Sequence, residues 1–309
     1  MRFAKRIFVT ILSIALVQGG ACERRASKAD SVPETAPKPR VCAVSPALSQ
    51  MLLDMNLGDC LVGRHRFDAA APQDLPVVGD QLEIDYEVLL ALEPTDVLLQ
   101  FGEQAIPPRL QQLAAEHGWN VQSFDIDSID DIGRVIRRLP ETISFADDAT
   151  GRRQRAQARE ATERLARDLQ ETLQPRQAVR DAGSLLLLWN VDPPSAFGPG
   201  SFIGGVVGHL GGRNAIRTGA YPELTLEDII ALDPQTILLL VHDDAETSVA
   251  SRFGRMAELD LAAVRTGRLV IVQDPQVLIP STSLTRVAAK IEAALAELGP
   301  VQAPTEGGP

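Results

Sequence analysis

Two arginines flank a histidine directly after the predicted strand 61–63, in the order Arg64-His65-Arg66-Phe67. Guanidinium groups form bidentate pairs with carboxylates and phosphates, so the two arginines could bind an anionic ligand. Phe67 could add a face on which a flat ligand stacks. An ordinary solvated loop is the other interpretation of the same four residues.

Further polar and aromatic residues follow other predicted strands, where ligands bind in open parallel sheets. Aromatic residues make up only 4% of the chain, so their recurrence at predicted loops suggests a flat ligand. For Trp189 and Phe197, packing in the core is an equally good interpretation. Outside the basic loop, the predicted ligand-binding residues are Gln100, Phe101, Trp189, Asn190, Phe197, Tyr221 and Asp274, and Asp125 and Asp127 fall in a further loop.

Metal ligation and catalysis find little support in the sequence. The histidines lie in different segments, and none forms a close pair with metal-ligand spacing; they are His65, His117, His209 and His242. No dinucleotide-binding glycine motif follows the first strand, and Walker and nucleophile-elbow motifs are absent. Gly204-Gly205 could help to cradle an anion, but close packing explains these glycines equally well. We therefore predict a binding protein without a resident metal or cofactor, rather than an enzyme.

Apolar runs alternate with helical patterns in both halves of the chain, which predicts an α/β fold with two Rossmann-like parallel-sheet lobes. The halves also resemble each other at a constant offset of 140 residues, with Glu87 to Pro94 matching Glu227 to Pro234. Both copies predict a short helix that begins with an acid, ends at proline and continues as a buried strand. Two related lobes leave a cleft between them, and ligands tend to bind in such clefts.

A long charged segment separates the two halves. Residues 149–174 contain no proline, and their apolar residues have helical spacing. At about 1.5 Å per residue this helix would be nearly 40 Å long. A surface helix on one lobe is one interpretation, and a rigid connector is the other. We predict an N-terminal lobe at 40–145, a connecting helix at 146–175 and a C-terminal lobe at 176–300.

The N-terminus has the pattern of a secretory signal at residues 1–21, with Lys5 and Arg6 before a short apolar run. Cys22 could then carry a lipid that tethers the protein to a membrane surface. Because Gly19 stands where a lipobox usually has leucine, plain cleavage after Ala21 is the alternative. Residues 22–39 are predicted to form a flexible tether and residues 301–309 a disordered tail.

The formal net charge of −11 disfavours binding to nucleic acids, because an acidic surface repels phosphates. The two remaining cysteines, Cys42 and Cys60, could form a disulfide in an oxidising compartment. Buried free cysteines are the alternative, since a free thiol often packs as a small hydrophobe.

The order and spacing of several motifs resemble the class III periplasmic binding proteins, which are Fe³⁺-siderophore and cobalamin receptors also called helical-backbone metal receptors. The resemblance covers about residues 40–298, and the long central helix is the hallmark of that family. Gln50 is a departure, because many relatives carry an acid there, and this affects the ligand subtype rather than the fold. The motifs are Arg40-Val41-Cys42-Ala43-Val44-Ser45-Pro46-Ala47, Leu57-Gly58-Asp59-Cys60-Leu61-Val62-Gly63, Leu75-Pro76-Val77-Val78-Gly79 and the two acid-helix-proline units.

The resemblance implies the solute-binding component of an ABC importer, which delivers an iron-siderophore, haem or cobalamin-type ligand to the permease. In this family one glutamate on each lobe docks onto permease arginines, and these positions fall on Glu87 and Glu227. An acid that simply stabilises its helix N-terminus is a further interpretation of both residues. A monomer in the periplasm, or at the outer face of the cytoplasmic membrane, is expected. The alternatives are a lipoprotein with a partner-binding or sensing role and, less favoured, an α/β enzyme.

Overall fold

Five parallel strands form the first of two sheets in the computed structural model, which describes residues 38–100, 106–243 and 248–301. The strands are β1 (Val41–Val44), β2 (Leu61–His65), β3 (Val77–Gly79), β4 (Asp96–Leu99) and β5 (Asn120–Ser123). Their order is β3-β2-β1-β4-β5. The central strands β1 and β4 are buried along their whole length, as expected for strands covered on both faces.

Helices connect these strands and begin at side chains that cap them. They are α1 (Pro46–Asp54), α2 (Tyr86–Leu92), α3 (Pro108–His117) and α4 (Ile129–Thr142). The Ser45 hydroxyl accepts a hydrogen bond from the backbone of Leu48 at the start of α1, and Ser128 forms a capping box with Asp131 at the start of α4. The spacing of apolar residues predicts helices at 48–57, 85–92, 106–117 and 128–139, and the structure contains all four with ends displaced by a few residues.

The long helix α5 spans Ala149–Thr172 and is about 36 Å long. The carboxylate of Asp148 caps it by accepting a hydrogen bond of 2.7 Å from Gly151 N. On one side α5 packs against α4, and on the other it packs against α11 (Leu284–Leu298), the last helix of the second half. The helix therefore contacts both halves of the fold, as the connector interpretation predicts.

The second sheet has the order β10-β9-β6-β7, and the short strand β8 also pairs with β6. Unlike its neighbours, β7 runs antiparallel to β6, because the chain turns back at Pro193 and forms a hairpin. This edge strand departs from the predicted all-parallel lobe. The strands are β6 (Ser184–Val191), β7 (Pro194–Ala196), β8 (Arg213–Asn214), β9 (Thr236–Val241) and β10 (Leu269–Gln273).

The helices of the second half are α6 (Gln177–Arg180), α7 (Phe202–His209), α8 (Leu226–Leu232), α9 (Val249–Phe253), α10 (Ala262–Arg265) and α11. Sequence patterns predicted α7, α8 and α11. The others are only four or five residues long, too short to show a hydrophobic period. We call each sheet with its own helices a lobe; the residue boundaries predicted for the lobes remain a prediction.

The predicted internal repeat extends to the backbone conformation. Helices α2 and α8 both end at an acidic residue with a left-handed backbone, Glu93 at φ 43° and Asp233 at φ 36°. Proline follows in each case, and the next strand begins two residues later. Upstream, Gly79 and Gly219 also lie at the same offset, and both have positive φ. The two lobes are thus built from related units.

One buried apolar cluster runs through both lobes and through α5. It includes Leu48 of α1, Ile136 of α4, Ala158 of α5, Val206 of α7 and Val287 of α11. The outer face of each sheet has its own smaller cluster. Because the inner core is continuous, a large separation of the lobes would expose apolar surface, and the free-energy cost grows with the exposed area.

Cys42 and Cys60 are both free and buried, so the disulfide considered above is absent. They lie in different apolar clusters, Cys60 in the inner core and Cys42 in the outer cluster of its sheet. Burial raises the pKa of the Cys42 thiol to about 12, so this thiol is unreactive at neutral pH. In the described ranges, no helix is long and apolar enough to span a bilayer. The predicted signal segment, Cys22 and Phe101 lie outside those ranges.

Candidate ligand-binding cleft

A cavity of 350 Å³ lies between the lobes, at the carboxyl ends of the strands. The N-terminal lobe contributes residues that follow β4 and β5, and the C-terminal lobe contributes residues from β6, from the loops and from the start of α7. This is the position at which open α/β sheets generally bind ligands. The lining residues are Gln100, Ile126, Asp127, Trp189, Phe197, Phe202, Tyr221, Leu278 and Pro280.

An aromatic wall forms the C-terminal side of this cavity. The ring of Trp189 lies 4.8 Å from that of Phe197 and 5.8 Å from that of Tyr221. Phe197 also contacts Phe202 at 5.6 Å and Tyr221 at 6.1 Å between ring centroids. The rings meet edge to face, which is a favoured geometry for aromatic pairs. The wall therefore supplies a preformed apolar surface for a large ligand.

Strand alternation explains why Trp189 faces this cavity. Leu185 and Leu187 of β6 point into the inner core, whereas Leu186 and Leu188 point into the outer cluster. Side chains alternate between the faces of a strand, so Trp189 shares the inner face and packs against the inner core. Both interpretations made from the sequence, core packing and cleft lining, therefore apply to Trp189 and Phe197.

The N-terminal side of the cavity is polar. The Gln100 carbonyl oxygen accepts a hydrogen bond of 2.7 Å from the Ser45 hydroxyl, and the described residues supply no partner for the Gln100 amide nitrogen. That NH₂ group is therefore available to a ligand acceptor. Asp127 is exposed at the same edge, and Asp125 is close enough to share a hydrogen bond with it.

The negative charge of Asp127 acts on Tyr221, on the opposite side of the cavity. Burial, followed by the negative charge of Asp127, raises the pKa of the Tyr221 phenol, which therefore stays neutral at physiological pH. Burial and the neighbouring charge of Asp125 raise the pKa of Asp127 in turn. The described cleft thus combines aromatic rings with carboxylates.

The predicted basic loop lies outside the cavity lining. Arg64 donates to the backbone oxygens of His65 and Gln73, and Arg66 forms ion pairs with Asp80 at 3.3 Å and Glu83 at 3.5 Å. These contacts leave neither guanidinium directed at the cavity. A role of the basic loop in binding an anionic ligand remains a prediction.

His65 and Phe67 have different environments. The His65 ring is buried; its Nδ1 accepts from the backbone N–H of Phe67, and its Nε2 contacts the Gln81 carbonyl oxygen at 2.9 Å. Through these two contacts the imidazole supports the conformation of the loop. The Phe67 side chain is 73% exposed. Neither residue lines the cavity.

Asp274 has a structural role and does not line the cleft. Its carboxylate is fully buried, accepts hydrogen bonds of 2.7 and 2.9 Å from Arg286, and lies 2.9 Å from Lys290 Nζ. Asn190 is exposed and donates to the backbone oxygen of Asp192. Both predicted binding residues are absent from the lining, because their polar groups are engaged with this chain itself.

Sequence reasoning missed the remaining lining residues. Ile126 lies between the two acids that were singled out, and Phe202 follows the Ser201 N-cap of α7. Leu278 and Pro280 come from the segment between β10 and α11. Their position in the sequence could have identified them, because each of these segments follows a strand or opens a helix beside the cleft.

A polar seam joins the lobes beside the cleft. The side-chain amide of Gln276 donates to the Gln50 carbonyl oxygen at 2.5 Å, and the Thr282 hydroxyl donates to Asp54 at 2.5 Å. Gln50 is the position at which many members of the resembled family carry an acid. In this protein the Gln50 side chain forms a hydrogen bond between the lobes, so its amide group helps to hold the lobes in their relative positions.

Glu87 and Glu227 occupy matching positions in the second residue of α2 and of α8. Both side chains are exposed, and no described residue forms an ion pair with either. Asp85 and Thr225 cap these helices, as predicted. Both acids therefore lie in the first turn of matching helices, with exposed side chains.

In the described part of the chain, no group of three or more His, Cys, Asp or Glu side chains is placed to hold a metal ion. A larger hollow of 640 Å³ lies between α4, α5 and α7. Its rim consists of exposed arginines, with Arg134 paired to Asp131 and Arg167 near Glu163. Its lining shares no residue with that of the aromatic cavity.

Comparison with known proteins places this geometry in context. No family model matches the chain. The high-affinity heme uptake system protein IsdE of Staphylococcus aureus is 24% identical over 254 residues, which cover 80% of each chain. The vitamin B12 binding protein BtuF of Vibrio cholerae superposes with a TM-score of 0.63 at 19% identity, over 85% of this chain and 98% of that one. A periplasmic heme binding protein from Pseudomonas aeruginosa gives a TM-score of 0.64 at 21% identity, over 87% and 96%.

Proposed function

We propose that this chain, which has the two-lobed fold of the class III periplasmic binding proteins, is the extracytoplasmic solute-binding component of an ABC importer. Its cargo would be an iron chelate, haem or corrinoid, bound between the lobes and passed unchanged to a permease. The chain would act as a monomeric receptor and not as an enzyme. A lipid on Cys22 would hold it at the outer face of the cytoplasmic membrane.

The aromatic cavity between the two sheets carries this proposal. It lies where the strands of both lobes end, and four of its nine lining residues are aromatic although aromatic residues are scarce in the chain. A flat, largely apolar macrocycle would cover such a wall. The names of the similar proteins support the same ligand class, because they refer to heme and vitamin B12.

The continuous inner core supports a receptor with limited opening. Residues of α4, α5, α7 and α11 share one buried cluster, so that the lobes form a preformed cleft. Preformed sites bind with a smaller loss of conformational entropy than flexible ones. The polar seam at Gln50 and Asp54 is the contact that a small opening movement would alter first.

Ligand binding can be tested by thermal unfolding with haemin, cyanocobalamin and ferric siderophores. A ligand at one hundred times its dissociation constant should stabilise the native state by about 2.7 kcal/mol. Trp189→Ala should weaken binding by roughly tenfold to a hundredfold, because it removes a central aromatic contact. Trp119, the only other tryptophan, lies in the outer cluster, so Trp119→Ala is the matched control and should retain affinity. If no compound in these classes binds, the proposed cargo is wrong.

Docking to the permease can be separated from ligand binding by a double substitution. Glu87→Ala with Glu227→Ala should leave ligand affinity unchanged and abolish most uptake in cells that express the cognate permease, because both carboxylates are exposed and unpaired in the described structure. Glu160→Ala with Glu297→Ala removes the same charge from exposed positions on α5 and α11 and should transport normally. Normal uptake by the first double variant would refute the docking role.

A further inference from the structure

The cavity lining contains no positively charged side chain among the described residues. It comprises four aromatic residues, four aliphatic or amide residues and one carboxylate, Asp127. A ligand carboxylate that entered this cavity would therefore lack a counter-charge from these residues.

The arginines that were predicted to supply that counter-charge are engaged elsewhere. Arg66 pairs with Asp80 and Glu83, and Arg64 donates to two backbone oxygens. Arg286, near the seam, is held by Asp274 and Gln276. Recruiting Arg286 would take a partner from the buried Asp274 carboxylate, which is unfavourable. The Arg66 pairs are exposed and cost at most about 1 kcal/mol to break, but neither Arg64 nor Arg66 lines the cavity.

One carboxylate, that of Asp127, instead lines the cleft from the N-terminal lobe. Asp125 and Asp127 are neighbours, and the negative charge of Asp127 acts on the Tyr221 phenol on the opposite wall. Of the cations on α4, Arg134 is paired with Asp131, and Arg138 lies over the Phe124 ring and donates to the Gln122 side chain. The field inside the cleft is thus negative, and an ionised ligand group that became desolvated there would be repelled.

We infer that the cleft selects its ligand by charge: it accepts a flat macrocycle whose buried edge is neutral, amide-bearing or cationic, and Asp127 excludes a carboxylate from that edge. This inference rests on the proposed function and specifies the ligand of the same site. Ligand amide N–H groups can donate to Asp127, and a ligand carbonyl can accept from the free Gln100 NH₂. The aromatic wall accommodates the ring face, and aromatic faces also attract cationic groups.

The main test compares cyanocobalamin with derivatives that differ from it in the charge of one side chain. Cyanocobalamin carries neutral amide side chains, and mild hydrolysis gives monocarboxylic acids in which one amide has become a carboxylate. Calorimetry on the full mature protein should show at least tenfold weaker binding for one or more of these acids than for cyanocobalamin. Haemin, whose two propionates are ionised at neutral pH, should also bind at least tenfold more weakly than cyanocobalamin.

Some monocarboxylic acids are expected to bind more weakly than cyanocobalamin. Asp127→Asn should reduce this difference in affinity at least threefold, because the substitution removes the repelling charge and keeps the shape of the side chain. Asp130→Asn removes an exposed charge nearby that does not line the cleft, and should leave the discrimination unchanged. Equal affinities for cyanocobalamin and all its monocarboxylic acids, or tighter binding of haemin, would overturn the charge selection and leave the proposed receptor function intact. Failure of every macrocycle and iron chelate to bind would overturn both.

Discussion

Replacing Asp274 by alanine is expected to lower the free energy of unfolding by about 1.5–3 kcal/mol, because the substitution removes a fully buried carboxylate that accepts hydrogen bonds from charged groups. The Asp274 carboxylate has no solvent exposure and is shared by Arg286 and Lys290, both on α11. It also accepts a hydrogen bond of 2.9 Å from the backbone of Gln276. Urea denaturation of the wild type and the variant measures the difference.

The same contacts fix the pH dependence of this stability. Burial alone would raise the pKa of Asp274, but the hydrogen bonds from Arg286, Lys290 and Gln276 outweigh it and hold the pKa well below its usual range. Because the pKa of Asp274 is lower in the native state than in the unfolded state, its ionised carboxylate stabilises the fold at pH values above the unfolded-state pKa of about 3.9. This contribution is lost as the pH falls through the native-state pKa. The stability difference between wild type and Asp274→Asn should therefore persist from pH 7 to about pH 5 and shrink in stronger acid.

An exposed ion pair of similar geometry provides the control. Arg159 donates two hydrogen bonds, of 2.6 and 2.7 Å, to Glu141, and both side chains are about half exposed. Glu141→Ala should cost at most about 1 kcal/mol, because solvent screens exposed pairs. If Asp274→Ala were no more destabilising than Glu141→Ala, Asp274 would not be the buried anchor described here, and a role at the cleft would have to be reconsidered.

Gly204→Ala is expected to destabilise the protein by about 1–3 kcal/mol and to weaken ligand binding, through overpacking next to the aromatic wall. A Cβ atom at this position would lie 1.9 Å from the Gly198 carbonyl oxygen and 2.7 Å from the Gly198 carbonyl carbon. Both contacts are with backbone, so the turn between Phe197 and Phe202 would have to move. Chemical denaturation and calorimetric titration report the two consequences separately.

A second glycine on the same helix gives a matched control. A Cβ atom on Gly208 would meet nothing within 4 Å, and Gly208 lies in the last turn of α7. Gly208→Ala should therefore stabilise the protein by up to about 1 kcal/mol, because alanine is the better helix former, and ligand affinity should not change. Equal behaviour of the two variants would contradict the packing explanation for Gly204.

The glycine-rich segment before α7 also shows how two interpretations were resolved. From the sequence, Gly204-Gly205 could cradle an anion or allow close packing. In the structure, Gly204 lies against the backbone of Gly198, and a Cβ on Gly205 would lie 3.3 Å from the Ile129 side chain of α4. These glycines allow α7 to approach its own loop and α4, which brings Phe202 of the C-terminal lobe close to Ile126 of the N-terminal lobe.

The sequence alone determined the longer helices, the main strands and the internal repeat, because these depend on local patterns. The 24-residue connector, the strands β4 and β9, and the matching helices α2 and α8 are encoded by hydrophobic period, capping residues and proline. The two-lobed architecture follows from the repeat and the helix between its copies. The aromatic residues Trp189, Phe197 and Tyr221 could also be assigned to the cleft. Trp189 and Phe197 lie at or beyond the end of a predicted strand, and Tyr221 lies just before the second acid-helix unit.

Only the tertiary structure decided which polar groups remain available to a ligand. Arg66 and Asp274 have the chemistry of binding residues, but their partners, Asp80 and Arg286, are brought to them by the fold. A charged side chain is free or neutralised according to what surrounds it, and those neighbours come from other elements of the structure. The sign of the cleft's electrostatic field is therefore a tertiary property, although every residue that produces it is visible in the sequence.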